Sequence, residues 1–115
     1  MIYKQNSKDS LRTFAAHGKI KECQKLILEN PEDIHYADEN GWTVLHEAVR
    51  SGQVEIVQLL LKHGADKNLL TKAGVSPLGL ARLLLSKDHN MIQYLESIGA
   101  KNISRDRSRR RHREL

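Results

Sequence analysis

The stretch "GWTVLHEA", Gly41 to Ala48, returns in altered form as "GVSPLGLA" at Gly74 to Ala81, 33 residues later. The same offset relates Leu45 to Leu78 and Ala48 to Ala81. A fixed period of roughly 20 to 50 residues marks stacked repeat architectures, in which each unit buries its apolar face against the next.

The middle unit, 38–68, is the clearest. "DENG" is a turn signal in which Gly41 is free to take positive φ. Thr43 stands where a helix N-cap belongs, because its hydroxyl can accept from a first-turn N–H. A helix is predicted over 44–50, Gly52 breaks it, and a second helix follows over 54–62. Ile56, Val57, Leu59, Leu60 and Leu61 cover more than one stripe of that second helix. A helix so broadly apolar belongs between neighbours. Gly64 sits where a left-handed C-terminal cap is needed, and the extended "GADKN" follows.

The flanking units are variations on this plan. In the third, Pro77 falls at the first helical position, where its missing N–H is not needed. Helices are predicted over 77–85 and 91–97, and "GAKN" repeats "GADKN" at an offset of 35. The two extra residues lie in "LLLSKDHN", which has no turn glycine, so Asp88, His89 or Asn90 must take its place. The first unit matches at an offset of 34, pairing Leu11 with Leu45, Gly18 with Gly52, Leu26 with Leu60 and Cys23 with Val57. Its helices are predicted over 7–16 and 20–29, with Pro31 stopping the second. A divergent end copy is expected, since a terminal unit shows one face to water.

These motifs, "DENGWTVLHEAVRSGQVEIVQLLLKHGADKN" and then "GVSPLGLA…IGAKN", resemble the ankyrin-repeat family over about residues 7–103. The family's Thr-Pro-Leu-His becomes Thr43-Val44-Leu45-His46 and then Ser76-Pro77-Leu78-Gly79. The resemblance implies an all-α solenoid of three helix-turn-helix units with short extended loops. The repeats would span about 7–37, 38–70 and 71–103, after an extension over 1–6 and before a basic tail over 104–115. It implies a structural, inter-repeat role for His46. Gly79 lacks that histidine, so the junction beyond the third repeat is expected to be looser than that between the first two.

The totals agree with a small aliphatic domain. The chain has 115 residues, 39% hydrophobic but only 4% aromatic, so Leu, Ile, Val and Ala must build the core. A lone cysteine, Cys23, allows no internal disulfide and fits a reducing compartment; its alignment with Val57 makes it a small buried hydrophobe. No apolar run approaches the roughly 18 residues of a membrane span, so no membrane insertion is expected. The opening "MIYKQNSKDSLR" lacks the apolar stretch of a secretory signal. Formal net charge is +5, concentrated in "RDRSRRRHREL", where six arginines face Asp106 and Glu114. The remainder is close to neutral and has no electrostatic reason to bind nucleic acid.

Catalytic chemistry finds no foothold. The six histidines include no pair at i, i+4, as a helical zinc site would need. There is no nucleophile elbow, phosphate-binding glycine loop or His-Glu zinc motif. Glu22 with Glu55, or Asp38 with Glu39, read better as solvated side chains than as acid–base pairs. The expectation is a protein that is not an enzyme, binds no metal or cofactor, and is monomeric when alone. Its role would be protein–protein recognition, as an adaptor, a scaffold or the interaction module of a longer chain. Trp42, the only tryptophan, follows the turn glycine and is the leading candidate anchor. The resemblance places partners on hairpin tips and the inner helix face. By position these are Glu39, Asn40, Trp42, Arg50 and Ser51 in the second repeat and Lys72, Ala73 and Val75 in the third.

The tail has three readings. It is a solvated end, or an arginine-rich segment for nuclear import or RNA, with Ser104 or Ser108 open to phosphorylation. Alternatively, His112, Arg113, Glu114 and Leu115 resemble an endoplasmic-reticulum retrieval signal, with Arg113 departing from the usual acidic residue. That last reading would make the chain an accessory domain of a luminal enzyme. The leading expectation for location is cytoplasmic or nuclear.

Overall fold

Capping chemistry sets where the helices start. The Asn6 side chain accepts the Asp9 N–H at 2.9 Å, the Ser76 hydroxyl accepts the Gly79 N–H at 3.1 Å, and His89 Nδ1 accepts the Met91 N–H at 3.0 Å. Each satisfies a first-turn amide that has no partner within the helix. At the middle unit the pairing runs backward: the Thr43 N–H donates to His46 Nδ1 at 3.0 Å.

The computed structural model describes residues 6–104. Its helices are α1 (Ser7–Ala16), α2 (Ile20–Glu29), α3 (Val44–Arg50), α4 (Val54–Lys62), α5 (Pro77–Leu84) and α6 (Asn90–Ser97). A 3-10 helix, Pro31–His35, joins the first two units. The described residues hold no strand, only an isolated antiparallel bridge between Val75 and Ser104. The expected all-α solenoid is therefore what forms, with helix bounds shifted by at most one residue in the third unit.

Three helices form an inner layer and three an outer one. α3 packs between α1 and α5, and α4 between α2 and α6. Leu11, Leu45 and Leu78 repeat down the inner layer, and Cys23, Val57 and Ile92 down the outer one, all buried. Burial, aided by the charge of Glu22, pushes the Cys23 thiol up to about 11, so it stays protonated and behaves as an apolar side chain.

The turn between α5 and α6 departs from expectation. Gly18 and Gly52 take positive φ at the corresponding turns, but no non-glycine residue among the described residues does. None of Asp88, His89 and Asn90 substitutes for the glycine. Leu85 instead leaves α5 in an extended conformation, and the two added residues close a turn through the His89 N–H to Ser86 O at 2.9 Å. Extra length removes the need for a left-handed residue.

Two tight turns of one design project from the array. Asp38 N–H bonds Trp42 O at 2.9 Å, and Thr71 N–H bonds Val75 O at 3.0 Å. The Lys72 N–H to Asn40 O bond, 3.0 Å, fastens one turn to the other. Gly41 (φ 74°) is required twice over: a β-carbon there would lie 2.7 Å from the Lys72 nitrogen.

The third junction is not loose. Where His46 reaches the next connection with Nε2 2.9 Å from Leu69 O, Gly79 has no side chain to reach with. Residues 101–104 close the distance themselves, and Ser76 N–H bonds Ile103 O directly at 2.8 Å. The missing imidazole is replaced by closer backbone contact.

Candidate interaction surface

Glu39 and Asn40 are exposed on the first turn, and Lys72 and Ala73 on the second. The bond between Asn40 and Lys72 makes these four one continuous rim. Arg12, from α1, stiffens it. Its Nη2 lies 3.1 Å from Asp38 Oδ2 and its Nη1 donates to Trp42 O at 3.0 Å. Asp38 Oδ1 also accepts the amides of Asn40 and Trp42. Its burial pulls the other way, but those amides and the guanidinium hold the carboxyl below its ordinary range.

Trp42 is not a free projection. It is half-buried against the core, with its ring centroid 5.8 Å from that of His46 and the planes tilted by 47°. The short turn folds the indole back onto His46 of α3 and leaves Trp42 only partly exposed. Val75 is corrected more sharply. It is only 9% exposed and its backbone pairs with Ser104, so it offers little to a partner. Ser104, counted with the tail on sequence grounds, thus belongs to the packed body.

On the inner helices, Arg50 is exposed at the end of α3 and paired with the Glu47 carboxylate; Ser51 beside it is half-buried. Sequence reading missed their counterparts one unit on. Leu83 and Leu84, 60% and 53% exposed, occupy in α5 the positions of Arg50 and Ser51. The same offset of 33 that reveals the repeat places them there. The face therefore runs from polar to apolar along the array. Tyr36, 40% exposed with Lys8 Nζ 4.5 Å from its ring centroid, adds an aromatic next to the first turn.

His46 is structural, as expected, being fully buried and bonded at both ring nitrogens. Among the described residues no group of three or more His, Cys, Asp or Glu could hold a metal ion, and no helix is long and apolar enough to cross a membrane. The arginine run, Ser108 and the terminal His112, Arg113, Glu114 and Leu115 lie outside the described residues.

Comparison with known proteins agrees with this architecture. The family profile "Ankyrin repeats (3 copies)" matches residues 11–106. Human ankyrin repeat domain-containing protein 40 is 41% identical over 81 residues, covering 70% of this chain and 22% of that protein. The human NAD-capped RNA hydrolase NUDT12 is 37% identical over 67 residues, 58% of this chain and 14% of its own length. Human 2-5A-dependent ribonuclease is 43% identical over 70 residues, 60% of this chain and 9% of its own. The chain thus spans less than a quarter of each of these relatives. With three helix pairs stacked in register and a family match over most of its length, the chain belongs to the ankyrin-repeat family.

Proposed function

We propose that this chain is a non-catalytic protein-recognition module. Its partner lies along the rim formed by Glu39, Asn40, Lys72 and Ala73 and down the inner face past Trp42, Arg50 and Ser51 to Leu83 and Leu84. The observation that carries the reading is the exposed leucine pair, standing where the preceding unit has arginine and serine. Adjacent exposed leucines on an inner face are costly in water and useful when a partner covers them. The similarity to two enzymes with different activities, limited to a small part of each, supports recognition as the shared task. It also supports a module set within a larger protein.

The double variant Leu83→Glu/Leu84→Glu is expected to stay folded and to melt no more than about 4 to 8 °C below wild type, since both side chains are more than half exposed and surface changes are usually worth under about 0.5 kcal/mol each. Proteins captured specifically by the wild-type chain should be lost by this variant. Once one partner is purified, calorimetric titration should show weakening of about 2 kcal/mol or more. Equal capture and affinity would move recognition off this face. Trp42→Ala should weaken the same partner but also lower the melting temperature, because the indole packs on His46.

We further propose a cytoplasmic or nuclear setting, with the arginine-rich end available to nucleic acid only as a secondary contact. A secreted reporter carrying residues 105–115 should be exported equally with and without Glu114 and Leu115. Retention that requires those two residues would instead favour a luminal protein.

A further inference from the structure

We infer that Asn40–Gly41 is a modification site guarded by the fold: it converts to isoaspartate only when the turn at 38–42 parts from the turn at 71–75, and the product keeps the two turns from rejoining. The pair is the chain's single Asn-Gly dipeptide. Its glycine is imposed by a positive φ and by the Lys72 nitrogen, which a β-carbon at residue 41 would meet at 2.7 Å. Its asparagine is not imposed. Ala73 holds the same place in the next turn, which closes through Gly74 N–H to Thr71 O at 2.9 Å just as the first closes through Gly41 N–H to Asp38 O at 2.9 Å. Asn40 is exposed, and asparagine is among the chemically labile residues. It precedes the one residue type whose nitrogen no side chain shields.

The chemistry needs only water. The Gly41 nitrogen gives up its proton and bonds to Asn40 Cγ; the Cγ–Nδ2 bond breaks, and Nδ2 takes up a proton and leaves as ammonia. Water then opens the cyclic imide, and nothing is oxidised or reduced. Cleavage at Cγ yields aspartate. Cleavage at the main-chain carbonyl yields isoaspartate, whose chain runs through Cγ. The attack needs a released Gly41 N–H and a peptide unit free to rotate onto Cγ. In the folded chain that unit is held at both ends, its N–H by Asp38 O at 2.9 Å and its carbonyl by the Lys72 N–H at 3.0 Å. Asp38 Oδ1 also holds the Asn40 N–H at 2.8 Å. Reaction is therefore confined to molecules in which these bonds have opened. Isoaspartate lengthens the main chain by a methylene and displaces the carbonyl that meets Lys72. The close approach of residue 41 to the Lys72 nitrogen leaves no space for that extra group. Asn40 lies on the rim assigned above to recognition, but the modification rests on the turn alone.

The test ages the full chain at mildly alkaline pH, folded and in urea, and reads aspartate and isoaspartate at residue 40 by peptide mapping. Conversion should be at least about tenfold slower in the folded chain, since only opened molecules react. Lys72→Pro removes the N–H given to Asn40 O, and proline suits the second position of such a turn, so the bend itself survives. In the folded variant conversion should rise by about threefold or more, as loss of one hydrogen bond implies. Its rate in urea should match wild type, because the sequence around residue 40 is unchanged. If Lys72→Pro does not fold, wild type in sub-denaturing urea decides: conversion should track amide exchange at Gly41 and Lys72. Chain enriched in isoaspartate should lose protection of the Lys72 N–H, whereas Asn40→Asp should keep it. The inference is overturned by equal rates in folded and unfolded wild type, or by a folded Lys72→Pro that reacts no faster. Conversion independent of the Gly41 and Lys72 amides, or a protected Lys72 N–H in the isoaspartate chain, would overturn it equally.

Discussion

Leu60→Ala is expected to lower the melting midpoint by roughly 8 °C or more and to remove a large part of the folding free energy. Leu60 is fully buried in α4, the outer helix flanked on both sides. Truncation forfeits the transfer energy of the side chain and leaves a cavity that helices packed on two sides close only in part. Such changes cost about 2 to 5 kcal/mol. A domain of this size has a total of about 5 to 15 kcal/mol, and each kcal/mol moves the midpoint by about 4 to 8 °C. The first repeat supplies an internal control: Leu26, its counterpart, is only half-buried, so Leu26→Ala should cost clearly less. Thermal and urea melts followed by circular dichroism measure both. A Leu60→Ala midpoint within a degree or two of wild type would show that the seams on α4 carry little of the stability.

The second large effect is expected at His46, and it depends on pH. Nδ1 accepts the Thr43 N–H, so in the folded protein the ring proton sits on Nε2 and is donated to Leu69 O. Protonating Nδ1 would set two donors against each other at the start of α3. Burial is the main reason the folded imidazole resists the proton. The positive charge of Arg12 adds to this, while the Leu69 carbonyl and Asp38 oppose it, and the balance lies below the ordinary histidine value. The unfolded chain therefore binds this proton more readily than the folded one. The stabilisation is complete above the unfolded value of about 6.5 and is lost as pH falls from there toward the lower folded value. Melting temperatures should be flat near neutrality and decline between about pH 6.5 and 5, before carboxylates near 4 contribute. His46→Ala should cost about 3 kcal/mol at pH 7.5, because it strands the buried Thr43 amide and weakens the seam at Leu69. It should also abolish most of the decline. A wild-type profile flat down to pH 5, or an equal slope in the variant, would mean that His46 does not govern acid stability.

What repeats in this chain was legible from its residues alone. The cap at Thr43, the turn glycines and Pro77 answer local demands, such as an unpaired first-turn amide or a required φ, which recur from unit to unit whatever lies beside them. That is why the helix bounds fall within a residue of expectation and why Cys23, Val57 and Ile92 share one buried column. The departures occur where a side chain's environment is set by a neighbouring unit. Trp42 follows an exposed turn in sequence, yet the fold lays it on His46. Val75 holds the equivalent position and is covered by Ser104, a residue nearly thirty positions on. Gly79 read as a lost contact because its partner, the carbonyl of Ile103, becomes adjacent only once the chain has passed through α6. Arg82 and Leu83 lie side by side in a helix, but only stacking decides that one joins an ion pair on the end face and the other stands exposed beyond Arg50. Periodicity records what each unit needs from itself, whereas burial at a seam depends on what the next stretch of chain brings to it.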